Sequence, residues 1–191
     1  MRIKKLLMIT GNQGKAREFE SLLAIDEFKV GQLSMELEEI QSFDLEEIGT
    51  SKIRSALQQL PDRIEADAVL VDDTGLFCEG LNGLPGPFIK WFLERLKVEG
   101  LQELVKSRNT NTSAVCHLSL GLRQSGEIIH FRGEVEGNLV EARGDGGFGW
   151  DKIFQPKGLQ ETYGQLSAQV KNTLSHRTLA VRKLREWILS T

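Results

Sequence analysis

The sequence is poor in cysteine and has no long apolar run. Its two cysteines, Cys78 and Cys116, lie far apart and without metal-site spacing, which disfavours a disulfide framework and a structural zinc site. We therefore expect a reducing, cytoplasmic environment. The N-terminal apolar run, Leu6–Ile9, is shorter than the ~7–15 residues of a signal peptide, and no stretch approaches the ~18 of a membrane span. The sequence predicts a buried strand at this run and no membrane partner.

An excess of positive charge is also missing. The 24 Lys and Arg residues against 27 Asp and Glu give a formal net charge of −3, so no overall positive field favours a nucleic-acid polymer as partner. Internal repeats, low-complexity tracts and Pro- or Ser-rich linkers are absent as well. With 191 residues, 40% of them hydrophobic, the chain 1–191 is predicted to form a single domain.

Apolar periodicity predicts an α/β fold with a mixed sheet. The predicted strands are Ile3–Ile9, Ala68–Val71, Thr112–Leu122, Glu127–Arg132 and Glu134–Val140. Helices are predicted over Lys15–Leu23, from Asp44 to Leu60, from Phe88 to Gly100 and from Ser175 onwards. Asp44 and Glu47 have the spacing of a capping box, and Ser175 is a good N-cap residue.

Two polar clusters that follow predicted strands are candidates for ligand contacts. Backbone N–H groups and Lys15 of the loop Thr10–Lys15 can bind phosphate oxygens, although a plain turn explains the loop alone more simply. Asp72 and Asp73 follow the second apolar strand, at a position where open α/β sheets bind ligands. Their oxygens suit Mg²⁺, and a turn rich in Asp and Gly is an equally good interpretation.

Three further clusters carry acids, glycines with aromatic rings, and cations. The acidic stretch from Glu36 to Glu47 is mostly a solvated face, yet one glutamate can complete a metal site. Gly146–Asp151 offers two rings on which a flat base can stack, or which form a local mini-core. His176 and Arg177 fall in the first turn of the last helix, where cations oppose the helix dipole. A ligand therefore explains this pair better than helix stability does.

These clusters, in this order, resemble the inosine triphosphate pyrophosphatase family, the house-cleaning nucleoside triphosphate pyrophosphatases. The resemblance spans nearly the whole chain, and it is specific because all the motifs occur in register. The motifs are Thr10-x-Asn12-x-x-Lys15, Glu39-Ile40-Gln41, Asp72-Asp73-Thr74-Gly75-Leu76, Gly83-Leu84-Pro85-Gly86-Pro87, Phe148-Gly149-Trp150-Asp151, Lys171-Asn172 and Ser175-His176-Arg177.

The resemblance implies an elongated mixed sheet flanked by helices, two lobes with a central active-site cleft, and a homodimer. It implies hydrolysis of non-standard purine nucleoside triphosphates, namely ITP, dITP and XTP, to the monophosphate and pyrophosphate, which cleanses the nucleotide pool. Asp73 resembles the catalytic acid that activates the attacking water. Glu39, Asp73 and Asp72 resemble the ligands of Mg²⁺, with Mn²⁺ as an alternative ion.

The resemblance also implies a substrate site with two ends. Lys15, Lys52 and Lys171 would hold the triphosphate, and Phe148 and Trp150 would bracket the base. Donors from His176 and Arg177 would favour hypoxanthine and xanthine, which carry an oxygen where adenine carries an amino group. Guanine has the same oxygen, so its exclusion needs another contact. The implied substrate-binding residues are Thr10, Gly11, Asn12, Gln13, Gly14, Lys15, Lys52, Thr74, Phe148, Gly149, Trp150, Asp151, Lys171, His176 and Arg177.

Two positions depart from the family pattern, and a second class of function stays open. Lys152 stands where the family usually has proline, which would loosen the base-binding loop, and Gly164-Gln165 stands where Ala-Glu is common. The alternative is a non-catalytic nucleotide-binding or regulatory protein that retains the pocket. The intact Asp73 and the lysines argue against this alternative.

Overall fold

The computed structural model describes residues 3–23, 29–106 and 108–190. This part of the chain forms seven strands and five α-helices. The strands are β1 (Lys5–Ile9), β2 (Lys29–Leu33), β3 (Ala68–Cys78), β4 (Pro85–Gly86), β5 (Asn111–Leu122), β6 (Ile128–Leu139) and β7 (Phe154–Pro156). The helices are α1 (Gln13–Leu22), α2 (Leu45–Gln59), α3 (Ile89–Val105), α4 (Ala168–Leu174) and α5 (His176–Ser190). No helix among the described residues is both long enough and apolar enough to span a bilayer.

The described strands form one mixed sheet with the order β2-β1-β3-β5-β6-β7, and β4 pairs with β3. Strand β1 runs parallel to β2 and to β3, whereas β4 is antiparallel to β3 and β7 is antiparallel to β6. The predicted α/β fold with a mixed sheet is therefore confirmed. Strand β2 was absent from the sequence prediction because most of its side chains are exposed and it lacks an apolar pattern.

Contacts divide the chain into two compact units. Unit 1 comprises the described residues within Met1–Asp73, His117–Arg132 and Leu179–Thr191, and unit 2 those within Thr74–Cys116 and Gly133–Thr178. The boundary falls inside β3, between Asp73 and Thr74. The single domain and the cleft between two lobes stay predictions.

The core of unit 1 forms where helix α2 packs on the sheet. Ile53 and Ala56 of α2 are fully buried against Val69 and Val71 of β3. Asp44 caps α2, because its carboxylate accepts a hydrogen bond from the Glu46 N–H at 2.8 Å. The second contact of the predicted capping box, from the Asp44 N–H to the Glu47 side chain, is wrong.

A serine replaces that reciprocal contact at the start of α2. Glu47 accepts from the Ser42 hydroxyl at 2.7 Å, and the Asp44 N–H donates to Ser42 Oγ at 3.0 Å. The orphan N–H at the helix start is therefore satisfied by a hydroxyl, and Glu47 is held through that same hydroxyl.

Unit 2 has its own apolar core, which is rich in aromatic side chains. It lies between α3, the second half of β3 and the segment around β7. Its buried members are Leu76, Cys78, Ile89, Leu101, Val105, Ala114, Leu139, Trp150, Ile153, Phe154 and Tyr163.

Three predicted element boundaries are wrong. Strand β3 continues from Val71 to Cys78, so the two acids lie inside the strand, because the apolar residues beyond them are buried in unit 2. Helix α3 runs past Gly100 to Val105, with a non-helical Lys97 (φ +61°) within it, because Leu101 and Val105 pack into the core. The two strands predicted on either side of Gly133 are a single strand, β6.

Candidate active site

Two acids and two lysines form a buried charged group in unit 1. Lys15 Nζ donates to Asp72 Oδ1 at 2.8 Å and to the Asp72 carbonyl at 2.6 Å. Lys52 Nζ contacts Asp73 Oδ1 and donates to Glu39 Oε1 at 2.6 Å. Consecutive residues of a strand point to opposite faces, so each acid of β3 meets a different lysine. The structure thus brings together five of the predicted site residues.

Burial dominates the electrostatics of Asp73. Burial raises the pKa of this carboxyl, and the positive charges of Lys52 and Lys15 oppose the rise. For Lys52, burial lowers the pKa, but Asp73 and Glu39 outweigh it, so the net pKa of the ammonium is raised. Asp73 Oδ2 is buried and accepts no hydrogen bond from any described residue. A buried carboxylate oxygen without a donor is costly, so this atom is the candidate for contact with water, metal or substrate.

The oxygens around Asp73 fit a magnesium ion that arrives with a phosphate ligand. Among the described residues, no three His, Cys, Asp or Glu side chains form a group that could hold a metal. Mg²⁺ is, however, usually bound by one or two carboxylates, several waters and substrate phosphates. The Asp73 carboxylate could supply one such oxygen, and Glu39, whose side chain is 51% exposed, could supply another.

The loop Thr10–Lys15 is a capped turn that also directs a lysine. Asn12 caps α1, with its side chain accepting from the Lys15 N–H at 3.0 Å, and Thr10 Oγ1 accepts from the Asn12 N–H at 3.1 Å. Gln13, Gly14 and Lys15 form the first helical turn. The turn interpretation and the ligand interpretation are therefore compatible, because capping leaves Lys15 Nζ on Asp72.

A second group of predicted residues gathers around Asp151 in unit 2. The Asp151 carboxylate is nearly fully buried, and its Oδ2 accepts from Lys171 Nζ and from the Phe148 N–H, each at 2.7 Å. Lys171 Nζ also lies 4.9 Å from the centre of the Phe148 ring and 5.4 Å from that of Tyr163. Lys171 thus contacts the predicted base-binding residues, and its predicted contact with the triphosphate stays a prediction.

The two aromatic rings of the glycine-rich loop have different surroundings. Trp150 is 6% exposed and packs on Phe154, Tyr163 and His176 at centroid distances of 5.4, 6.2 and 5.3 Å. Phe148 is 36% exposed. Trp150 therefore follows the mini-core alternative, while Phe148 presents a ring on which a base can stack. The bracketing of a base by both rings stays a prediction.

His176 and Arg177 occupy the first turn of α5, as predicted. Ser175 caps the helix, because its hydroxyl accepts from the Thr178 N–H at 3.2 Å. Arg177 is 1% exposed and donates from Nη2 to Thr74 Oγ1 at 3.1 Å. The Thr74 hydroxyl therefore orients the guanidinium of Arg177, a contact that the sequence motifs did not predict.

Comparison with known proteins identifies the family of this chain. The model of the Ham1 family matches residues 6–187. The chain belongs to the Ham1 family. It is 36% identical over 185 residues to an inosine triphosphate pyrophosphatase of Puccinia graminis f. sp. tritici, with 95% of each chain covered. It is 35% identical over 184 residues to the inosine triphosphate pyrophosphatase of Yarrowia lipolytica, with 96% of this chain and 95% of that one covered.

A solved structure of the same family confirms the fold. The Ham1 protein of Staphylococcus aureus is similar to this chain with a TM-score of 0.78 and 27% identity, over 98% of this chain and 99% of that chain. The predicted family resemblance is thereby confirmed over nearly the full length of the sequence.

The two departures from the Ham1 pattern are held by local contacts. The Lys152 carbonyl accepts from the Arg143 N–H at 2.9 Å, and its ammonium lies 3.2 Å from Asp145. Gln165 Oε1 accepts from the Thr162 N–H at 3.1 Å. The Lys152 carbonyl would accept the same bond if the residue were proline, so the looser base-binding loop stays a prediction.

A buried polar network in unit 1 was not predicted. His130 Nδ1 lies 3.2 Å from His117 Nε2 and 3.0 Å from Ser119 Oγ, and His130 Nε2 lies 3.4 Å from Thr50 Oγ1. The available signal was the pair His117 and Ser119, two polar residues at positions i and i+2 that share one face of an otherwise apolar strand.

Proposed function

We propose that this Ham1 protein hydrolyses the non-standard purine nucleoside triphosphates ITP, dITP and XTP to the monophosphate and pyrophosphate. Family membership and the curated relatives make the chain a hydrolase of phosphoric anhydrides. The observation that supports this hydrolysis is the state of the Asp73 carboxylate. It is buried beside lysines, and its Oδ2 accepts no hydrogen bond from the described residues. A carboxylate in this state is suited to orient and deprotonate a water.

The lysines supply the charge that a triphosphate requires. Lys15 and Lys52 each hold an ammonium against a carboxylate. An ammonium has three N–H donors, so the remaining donors of each lysine would bind phosphate oxygens. Asp73 Oδ2 would accept the proton of the water that attacks the α-phosphorus. The bond to the bridging oxygen then breaks, and pyrophosphate leaves with that oxygen.

Asp73 and Glu39 would hold the Mg²⁺ ion, while Asp72, on the opposite face of β3, would support the site through Lys15. When bound, the ion lowers the pKa of a coordinated water and offsets negative charge on the phosphate oxygens. Replacement of the Lys52 contact by the metal would also keep the Asp73 carboxylate in its charged form, against the rise in its pKa that burial causes.

Residues of unit 2 would bind the base. Phe148 offers an exposed ring for stacking, and His176 and Arg177 offer donors to the 6-oxygen of hypoxanthine or xanthine. A donor that faces the amino group of adenine is left unsatisfied, which can discriminate between bases by up to ~10⁴-fold. Guanine carries the same 6-oxygen, so its exclusion needs a contact with a residue outside this set.

A nucleotide panel with separate detection of pyrophosphate and orthophosphate tests the proposal. With Mg²⁺, we expect ITP, dITP and XTP to yield the monophosphate and pyrophosphate much faster than ATP or GTP is consumed. Formation of IDP and orthophosphate would show cleavage between the β- and γ-phosphates and would contradict the proposed cleavage between the α- and β-phosphates. Binding of ITP without turnover would favour the non-catalytic alternative.

The same panel on His176→Phe separates base reading from packing. Phenylalanine keeps a flat ring against Tyr163, on which the His176 ring stacks with an interplanar angle of 16°, but it carries no donor. We expect the preference for ITP over ATP to narrow while the fold is retained. An unchanged ratio would assign base recognition to other residues.

A further inference from the structure

Gly49 lies where helix α2 closely approaches Ser119 of strand β5. Gly49 is buried, and a Cβ atom at this position would overlap with Ser119 Oγ and lie 3.0 Å from Ser119 Cβ. The same Cβ would lie 3.7 Å from Asp73 Oδ2. The Ser119 hydroxyl and the unsatisfied oxygen of Asp73 thus both face one spot on α2 that carries no side chain.

Ser119 cannot easily make room for a side chain at position 49. It is fully buried, and its hydroxyl lies 3.0 Å from His130 Nδ1, within the network that also includes His117. Turning the hydroxyl away would break this contact, and the new Cβ would still lie only 3.0 Å from Ser119 Cβ. A larger residue at position 49 would therefore displace α2 rather than Ser119, because close-packed interiors transmit strain.

The face of α2 that contains Gly49 also carries Lys52. Residues three apart on a helix are neighbours on its surface, so Gly49 and Lys52 point to the same side. Lys52 Nζ contacts Asp73 Oδ1, and Ile53 beside it is fully buried. A shift of α2 away from β5 would carry Lys52 away from Asp73.

We propose that Gly49 is a positioning residue, whose missing side chain lets α2 lie directly against Ser119 and so seats Lys52 on Asp73. This inference rests on the proposed function for its effect on catalysis, but the contact itself can be tested by structure alone. A misplacement of about 1 Å at a reacting group can cost about 10²-fold in rate.

The test is a second-site rescue series. Gly49→Ala is expected to lower kcat for ITP by about 10- to 100-fold, with a smaller change in KM, because Lys15 and the α1 loop are untouched. Combination with Ser119→Ala removes the overlapping Oγ and should restore part of kcat, and combination with Ser119→Gly removes Cβ as well and should restore most of it. Ser119→Ala alone should keep most of the activity.

Two further measurements separate positioning from loss of stability. Crystal structures should show Lys52 Nζ beyond hydrogen-bonding distance of Asp73 in Gly49→Ala and back in contact in the Gly49→Ala/Ser119→Gly variant. Asp44→Ala, which removes the cap of the same helix, should lower thermal stability with kcat per folded enzyme unchanged.

A Gly49→Ala variant with normal kcat and an unmoved Lys52 would overturn the proposal, as would a loss of kcat that neither serine variant repairs. Ala is the better helix former, so without the close approach this substitution should stabilise α2. If the wild-type protein releases no pyrophosphate from ITP, the proposed function fails, while the structures of the variants still decide the positioning role.

Discussion

At the scale of single residues, Asp73 combines burial with an oxygen that accepts no hydrogen bond from the described residues, which is unfavourable unless a ligand contacts that oxygen. The residue is 6% exposed, one carboxylate oxygen contacts Lys52, and the other accepts no hydrogen bond from a described residue. Burial without full hydrogen bonding costs stability, and strongly perturbed carboxylates concentrate at functional sites. The environment of Asp73 is therefore better explained by chemistry than by stability.

The first prediction concerns Asp73→Asn. The amide keeps the size of the side chain but cannot accept a proton from water, so we expect kcat for ITP to fall by at least ~10²-fold. Thermal unfolding should stay near that of the wild type, because Glu39 still pairs with Lys52. Asp145→Asn, at a fully exposed carboxylate in unit 2, is the matched control and should keep full activity. A folded Asp73→Asn variant with most of its rate would reject the catalytic role.

The second prediction concerns stability at acidic pH. Burial, together with the charge of His130, lowers the pKa of His117 from 6.5 to about 4. Below pH 6.5 the unfolded chain binds a proton that folded His117 does not, so stability is lost as the pH falls from about 6.5 towards about 4. We expect this loss to be roughly 2 kcal/mol, measured by urea unfolding at pH 7 and pH 4.5.

His117→Gln provides the comparison for this pH effect, because the amide offers a nitrogen near the position of Nε2 but does not titrate. Its unfolding free energy should fall less between the two pH values, by about the amount assigned to His117. Equal losses in both proteins would show that His117 is not the group responsible.

At the scale of elements, α2 connects the core of unit 1 to the candidate site. Its buried face, with Ile53 and Ala56, packs on β3, and the same helix carries Lys52. The start of the helix is fixed by Asp44. Stability of α2 and placement of its lysine are therefore separable properties of one element.

The third prediction tests this separation at the cap of α2. Asp44→Ala removes the acceptor of the Glu46 N–H and should lower the free energy of unfolding by about 1 kcal/mol. Asp44→Ser should recover most of that loss, since serine is also a good N-cap. Asp62→Ala, at an exposed carboxylate that lies 3.7 Å from Arg123, should change stability by less than about 0.5 kcal/mol. Equal effects of the Asp44 and Asp62 substitutions would contradict the capping role.

At the scale of the whole molecule, the net charge of −3 does not reflect the local charge of the candidate site. The overall charge disfavours a nucleic-acid polymer, yet Lys15, Lys52 and Lys171 are each placed beside a buried acid. Binding of a small polyanion depends on such local charge more than on the sum over the chain. We also propose that the protein is cytoplasmic, because it has only two cysteines and they lack the spacing of a disulfide framework.

The fourth prediction is that the protein is a homodimer, as the family resemblance implies. Sedimentation equilibrium at micromolar concentration should give a mass twice that of the chain, with no dependence on added nucleotide. A single species of monomer mass would reject the dimer and leave the enzymatic proposal unaffected.

The sequence by itself determined the fold class, the family and the identity of the candidate site residues. Apolar runs such as Ala68–Val71 and caps such as Asp44 and Ser175 are local signals, because hydrogen bonding and periodicity act over a few residues. The motifs around Asp73 and Arg177 are also local, so they can be recognised from the sequence alone. The resemblance then related them to one chemistry.

Only the tertiary structure decided which partner each site residue has. The pairing of Lys52 with Asp73, the orientation of Arg177 by Thr74, and the close approach of Gly49 to Ser119 join residues from 21 to 103 positions apart. Such contacts depend on how strands and helices pack, and no local pattern encodes them. For the same reason β3 extends beyond Val71, since the burial of its second half is fixed by packing within unit 2 and not by its own sequence.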